Sequence, residues 1–260
     1  MFLYMPIREH RELTKSGPGT ASCLLQSFTC ADQRSNRFRN VGHRDRDSLH
    51  VKRLTIVIRI WFLSLVACAA VVAFSFVHID VPTAVHFWKV GRLLRVLNDA
   101  FGAAIVLSAE SAVILAMVLA RLVRGHISAF GETLAIACLT SMCAYGINSH
   151  VLKVFFGVPN PTDVMLGARH SFNLWMGSES SSFPSGHMVL AGAFAGVFMR
   201  LYSASIWPLS ALLLLAAGLL LIGDWHFLSD VVAGMFFGIS AGILAGEGRA
   251  ASFKSRALVA

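Results

Sequence analysis

The stretch from Ile206 to Ala245 reads IWPLSALLLLAAGLLLIGDWHFLSDVVAGMFFGISAGILA. Two apolar runs, Ile206–Ile222 and Phe227–Ala245, flank the short turn Gly223–His226. A bilayer-spanning helix needs about 20 mostly apolar residues, so the pair reads as two membrane helices joined at one face. Four more runs extend the pattern upstream: Leu54–Ile79, Phe101–Val123, Ile127–Val151 and Ser185–Leu201. The expected fold is all-α, a polytopic membrane bundle of about six transmembrane helices. Between the first two runs, Val81–Asn98 mixes Trp88, Lys89, Arg92 and Arg95 with apolar residues at helical spacing, which predicts an interfacial amphipathic helix.

Composition agrees. Of 260 residues, 56% are hydrophobic and 14% charged, where a soluble domain carries about a quarter charged residues. The formal charge of +8 forms no basic stripe interleaved with aromatics, so it points to orientation in a bilayer and away from nucleic acid. Placing the N-terminus inside puts Arg121, Arg124, Arg200, Arg249, Lys254, Arg256 and the ten basic residues of the first 53 on the inner side. Lys89, Arg92, Arg95, Lys153 and Arg169 are left outside. The organisation that follows is a polar, disordered cytoplasmic extension over 1–53, a membrane domain over 54–246 and a short basic cytoplasmic tail over 247–260. The membrane itself is expected to be a bacterial inner (plasma) membrane. None of the five cysteines falls in a C-x-x-C or zinc spacing, so neither a disulfide framework nor a structural metal is expected.

With that topology, polar residues from distant segments gather at the outer face. Lys153 ends the third run, Pro184-Ser185-Gly186-His187 opens the fourth, and Gly223, Asp224, His226 and Asp230 surround the turn into the sixth. Ionisable groups within membrane spans are costly and usually functional. His226 and Asp230 are four residues apart, so on a helix they share a face. The carboxylate can then fix one imidazole nitrogen and leave the other as nucleophile or base. The plainer reading of the same pair is a helix start, with His226 near the cap and Asp230 one turn in. Ser185 and Gly186 at a helix N-terminus offer N–H groups to an anion, or Ser185 is simply the cap. Lys153 either snorkels to the interface or binds phosphate.

These residues resemble a family. Lys153 with Asn160-Pro161, then Pro184-Ser185-Gly186-His187, then His226-Phe-Leu-Ser-Asp230 look like the three signature motifs of the type 2 phosphatidic acid phosphatase (PAP2)/vanadium haloperoxidase superfamily, in its membrane-bound lipid phosphatase branch. The resemblance covers about Ile127 to Ala245 and implies a metal-independent lipid phosphate phosphatase without a cofactor. His226 would be the nucleophile that forms a phosphohistidine, Asp230 its orienter and His187 the acid. Lys153, Ser185 and the Gly186 amide would hold the phosphate oxygens. Implied substrates are lipid phosphates and diphosphates such as phosphatidic acid, phosphatidylglycerol phosphate, undecaprenyl diphosphate or lipid A phosphates. Two positions depart from the pattern: Asn160 and Leu220 stand where the motifs carry arginines. Asn160 still donates hydrogen bonds, and Arg169 in the outer loop is a candidate replacement charge. The alternatives are a non-catalytic relative that binds a lipid headgroup, a phosphotransferase and, more remotely, an intramembrane serine protease using Ser185 and His226.

Overall fold

The computed structural model describes residues 55–89 and 102–259, with side chains to residue 251. The N-terminal extension and the basic residues Arg92 and Arg95 lie outside these residues. The chain divides into two units, Met1–Phe62 and Leu63–Ala260. Residues 55–62 begin helix α1 (Thr55–His78), and the account below concerns the second unit.

After α1 come α2 (Asp80–Phe87), α3 (Ala103–Arg124) and α4 (Ala129–Ile147). A π-helical turn, Asn148–Leu152, leads into the one-turn helix α5 (Lys153–Phe156). Then follow α6 (Pro161–Met165), α7 (Gly186–Leu201), α8 (Ile206–Ile222) and α9 (Leu228–Val259). Among the described residues there is no strand. Five helical stretches are long and apolar enough to cross a membrane. The sixth apolar helix, α7, has 16 residues. The predicted spans are therefore found, each beginning within two residues of its expected start, while α9 runs 14 residues past Ala245. The basic segment after residue 246 continues α9 as helix.

Local chemistry sets the boundaries. Ser128 caps α4 by accepting from the Gly131 N–H at 3.1 Å, and Gly125 closes α3 in the left-handed region at φ 74°. Asn160 caps α6 by accepting from the Asp163 N–H at 2.8 Å, with Pro161 at the first helical position. The outside of the bundle is hydrocarbon: Leu122, Trp207 and Leu244 are each at least three-quarters exposed, which is stable where the solvent is lipid.

Two helices form the spine. α7 and α9 pack through Gly192 and Gly196 on one and Gly234, Gly238 and Gly242 on the other. A Cβ at Gly242 would stand 2.3 Å from the Ala193 carbonyl oxygen, and one at Gly238 2.6 Å from that of Val189. Such close approach is how helices associate where no hydrophobic force separates lipid from protein. α4 joins the pair through Ala144, packed with Val189 and Ala193. At the end of the spine away from His187 and His226, Arg249 pairs with Glu132 at 2.8 Å and Arg200 with Glu247 at 2.6 Å. The long connection 157–183 folds back along α5, donating from Asn173, Trp175 and Gly177 to the carbonyls of Phe156, Phe155 and Val154.

Candidate active site

The site grows from the start of α9. Asp230, the third residue of the helix, reaches back so that its Oδ2 accepts from the Phe227 N–H at 2.8 Å. This satisfies one of the donors that every helix start leaves open. His226 precedes the helix, so the two residues do not share a helical face as their spacing suggested. The aspartate bends over the helix end to meet the histidine instead. His226 Nδ1 lies 3.6 Å from Asp230 Oδ2, too far for a direct hydrogen bond. Ser182 fills the gap: its Oγ is 3.3 Å from His226 Nδ1 and donates to Asp230 Oδ2. Ser182 went unremarked in the sequence because it sits in a run of serines that reads as loop.

The other face of His226 looks at α7. His226 Nε2 is 3.5 Å from His187 Nδ1, and both rings are mostly buried. Ser185 is the cap of α7, its Oγ accepting from the Met188 N–H at 3.4 Å. Its own N–H donates to the Asp230 carbonyl at 3.0 Å, which ties the starts of α7 and α9 together. Gly186 is pressed against Tyr145, whose ring would stand 2.9 Å from an added Cβ. Asn148, in the π-helical turn, holds the same segment by donating to the Pro184 carbonyl at 3.2 Å.

Lys153 opens α5, is 9% exposed and donates to the Glu179 carbonyl at 3.0 Å. It is near enough to His187 and Asp230 for their charges to interact. Of the predicted residues, His226, His187, Asp230, Ser185, Gly186 and Lys153 thus come together. Asn160 is engaged in capping α6. Arg169 is exposed in the connecting loop. Leu220, 4% exposed, packs with Met188 and Val231.

Behind the site stands a second polar group, centred on Asp80, which the sequence did not announce. Asp80 Oδ1 accepts from the Ser229 N–H at 3.1 Å, and its Oδ2 from the Ser229 hydroxyl. His170 Nε2 lies 3.7 Å from the same carboxylate, and its ring stacks on Phe76 at 4.1 Å and tilts over Phe227 at 4.4 Å. Burial pushes the Asp80 carboxyl up to about 6, against the pull of the Ser229 hydrogen bonds. Burial likewise holds His170 below its ordinary value. Among the described residues no group of three or more His, Cys, Asp or Glu is arranged to hold a metal ion.

An apolar helical bundle that presents two facing histidines, a buried aspartate and a buried lysine at one end is a membrane protein of the phosphatase type. The family comparison points to the same class: residues 134–249 match the model of the PAP2 superfamily. The matched stretch begins in α4, ends in α9 and contains all three motifs. No curated protein and no solved structure matches the chain.

Proposed function

We propose that the protein is an integral membrane lipid phosphatase that hydrolyses a phosphomonoester or diphosphate through a phosphohistidine on His226. The observation that carries this reading is the setting of His226. Nδ1 faces Ser182 and Asp230, and Nε2 faces His187. A proton on Nδ1 leaves the lone pair of Nε2 for phosphorus. As the N–P bond forms, the P–O bond to the lipid breaks, and His187 gives its proton to the departing oxygen. Water then attacks the phosphohistidine, returns a proton to His187 and frees inorganic phosphate and Nε2. A bound phosphoryl group would part the two rings, whose facing nitrogens lie 3.5 Å apart. Lys153, the Gly186 amide and Ser185 supply the fixed charge and dipoles that the transition state needs. Because Asn160 caps α6 and Arg169 is exposed, Lys153 carries most of that charge.

The substrate comes from the bilayer. The Lys/Arg distribution supports an orientation with both termini in the cytoplasm and the histidines at the outer interface, where lipid headgroups lie. A cysteine replacing Asp163 is expected to react with an impermeant reagent from outside, and one replacing Arg124 only after permeabilisation.

The decisive experiment is phosphate release by the purified protein from a panel of lipid phosphates and diphosphates. Activity is expected to survive chelators and to be inhibited by vanadate, with His226→Ala removing both turnover and any phosphoenzyme. Loss of activity in EDTA would point to a metal phosphatase and end this reading. A second reading, headgroup binding without turnover, rests on Leu220, which is buried among apolar side chains where the motif carries a cation. A wild type inactive on the whole panel, with activity appearing on joint Asn160→Arg and Leu220→Arg replacement, would establish it.

A further inference from the structure

Beside His187 the bundle opens into a cavity of about 780 Å³ between α3, α4, α7 and α8. Its size lies in the ~300–1,000 Å³ range of small-molecule sites. Val113, Leu134, Phe194 and Leu212 are typical of its wall. Three residues break that apolar surface, and each carries a buried polar atom without a hydrogen-bond partner: Glu110 Oε2, His187 Nε2 and Trp225 Nε1. Buried polar groups are nearly always bonded. Three orphans in the lining of one cavity mark a place built for an occupant.

His187 tells which occupant. Its Nδ1 faces His226, and the residue itself belongs to the cavity lining. A group that hands a proton to the leaving oxygen stands where phosphate ends and the lipid begins. With the phosphate at His226, the remainder of the molecule extends into the cavity, whose wall suits a hydrocarbon chain. Glu110 is 7% exposed and stands seven residues along α3 from Ala103, which is ~10 Å of helix. Ser141 hydrogen-bonds the carboxyl group, and a plain chain would leave Oε2 unbonded.

We infer that this cavity receives the hydrocarbon chain of the lipid phosphate and that Glu110 selects chains bearing a hydrogen-bond donor, a hydroxyl or an amide N–H, part-way along their length. The inference rests on the phosphatase reading and adds the substrate class to it. A site that bonds a donor discriminates against the analogue lacking it, because the acceptor is then stranded.

The test compares two long-chain alkyl phosphates, one plain and one with a hydroxyl on the chain, using full-length protein in nanodiscs. The wild type is expected to favour the hydroxylated ester by at least ~10-fold in kcat/KM, mainly through KM. Glu110→Leu is expected to bring that ratio near one, and Glu110→Gln, which keeps an accepting oxygen, to restore part of it. Ala216→Phe, which fills the cavity from α8, is expected to lower long-chain turnover relative to a short water-soluble ester by at least ~10-fold. Equal ratios in the wild type and Glu110→Leu would overturn the role of Glu110. An unaltered long-to-short ratio in Ala216→Phe would overturn the cavity assignment. Binding is read separately, as quenching of tryptophan fluorescence by a brominated long-chain alkyl phosphate, taking the difference between wild type and Trp225→Phe. Quenching of Trp225 without phosphate release would keep the cavity and remove the phosphatase reading. Release without that quenching would do the reverse.

Discussion

Helix α7 meets its neighbours in opposite ways on two of its sides. Toward α9 it is fitted backbone to backbone, and an added Cβ at Gly196, Gly238 or Gly242 would fall within 2.7 Å of a carbonyl oxygen. Toward α8 and α3 it stands back and leaves about 780 Å³. Gly218 on α8, outside that cavity's lining, has nothing within 4 Å of where its Cβ would be and serves as an open control. The tight side carries His187 and Asp230, whose relative placement has to hold to a fraction of an ångström. The loose side borders only one of the reacting groups, His187, and it has room for a ligand. Rigidity and vacancy are divided between two faces of one helix.

That division is most severely tested by matched glycine replacements. Gly242→Leu drives a side chain into the Ala193 carbonyl, and overpacking of this kind costs ~1–3 kcal/mol or more. Loss of the monodisperse peak in detergent gel filtration is expected. Gly218→Leu is expected to elute as wild type. Similar behaviour of the two would refute the contrast. Next in size is Lys153→Ala. Losing a charge-assisted bond to phosphate is worth ~1.5–3 kcal/mol, so kcat/KM should fall at least ~10-fold. Ser182→Ala leaves His226 and Asp230 3.6 Å apart without their bridge. A drop of ~3–10-fold in kcat with little change in KM is expected from a neutral hydrogen bond lost, and unchanged kcat would make Ser182 merely structural.

The smallest effect concerns the group behind the site. With Asp80 raised from 3.8 to about 6, the folded protein keeps a proton that the unfolded chain releases near pH 4. The associated stability is complete below that pH and is lost as pH rises through about 6. His170 acts in the opposite sense: its lowered value means the unfolded chain holds the extra proton, and stability is recovered as pH climbs towards the ordinary 6.5. Asp80 should therefore lower thermal midpoints between pH 4 and 6, with His170 opposing that fall as pH nears 6.5. Asp80→Asn should flatten the descending limb between pH 4 and 6, and a wild-type slope in that variant would dismiss the idea.

The spans were legible because hydrocarbon runs of bilayer length leave little choice of structure, and α4 and α9 begin within two residues of where they were expected. The motif residues were legible because ionisable groups at span ends stand out against an apolar background. Ser182 did not stand out among neighbouring serines. Asp80 and Ser229 meet across 149 residues, and no periodicity encodes such a meeting. Leu220 was seen as a missing cation, whereas only the packed bundle shows it serving the apolar core. The four-residue spacing of Gly234, Gly238 and Gly242 was present in the sequence all along, and its meaning depended on knowing that α7 lies against it.

Asp230 Oδ2 holds the first turn of α9 through the Phe227 N–H and, through Ser182, the ring of His226. Helix initiation and the assembly of the reactive centre are therefore one event. A chain whose last helix has started correctly already has the proposed nucleophile aimed, and one with His226 misaimed has a frayed helix for quality control to find. Efforts to retune the chemistry by replacing this residue would meet a folding defect first, so useful variation should be sought at the cavity wall instead.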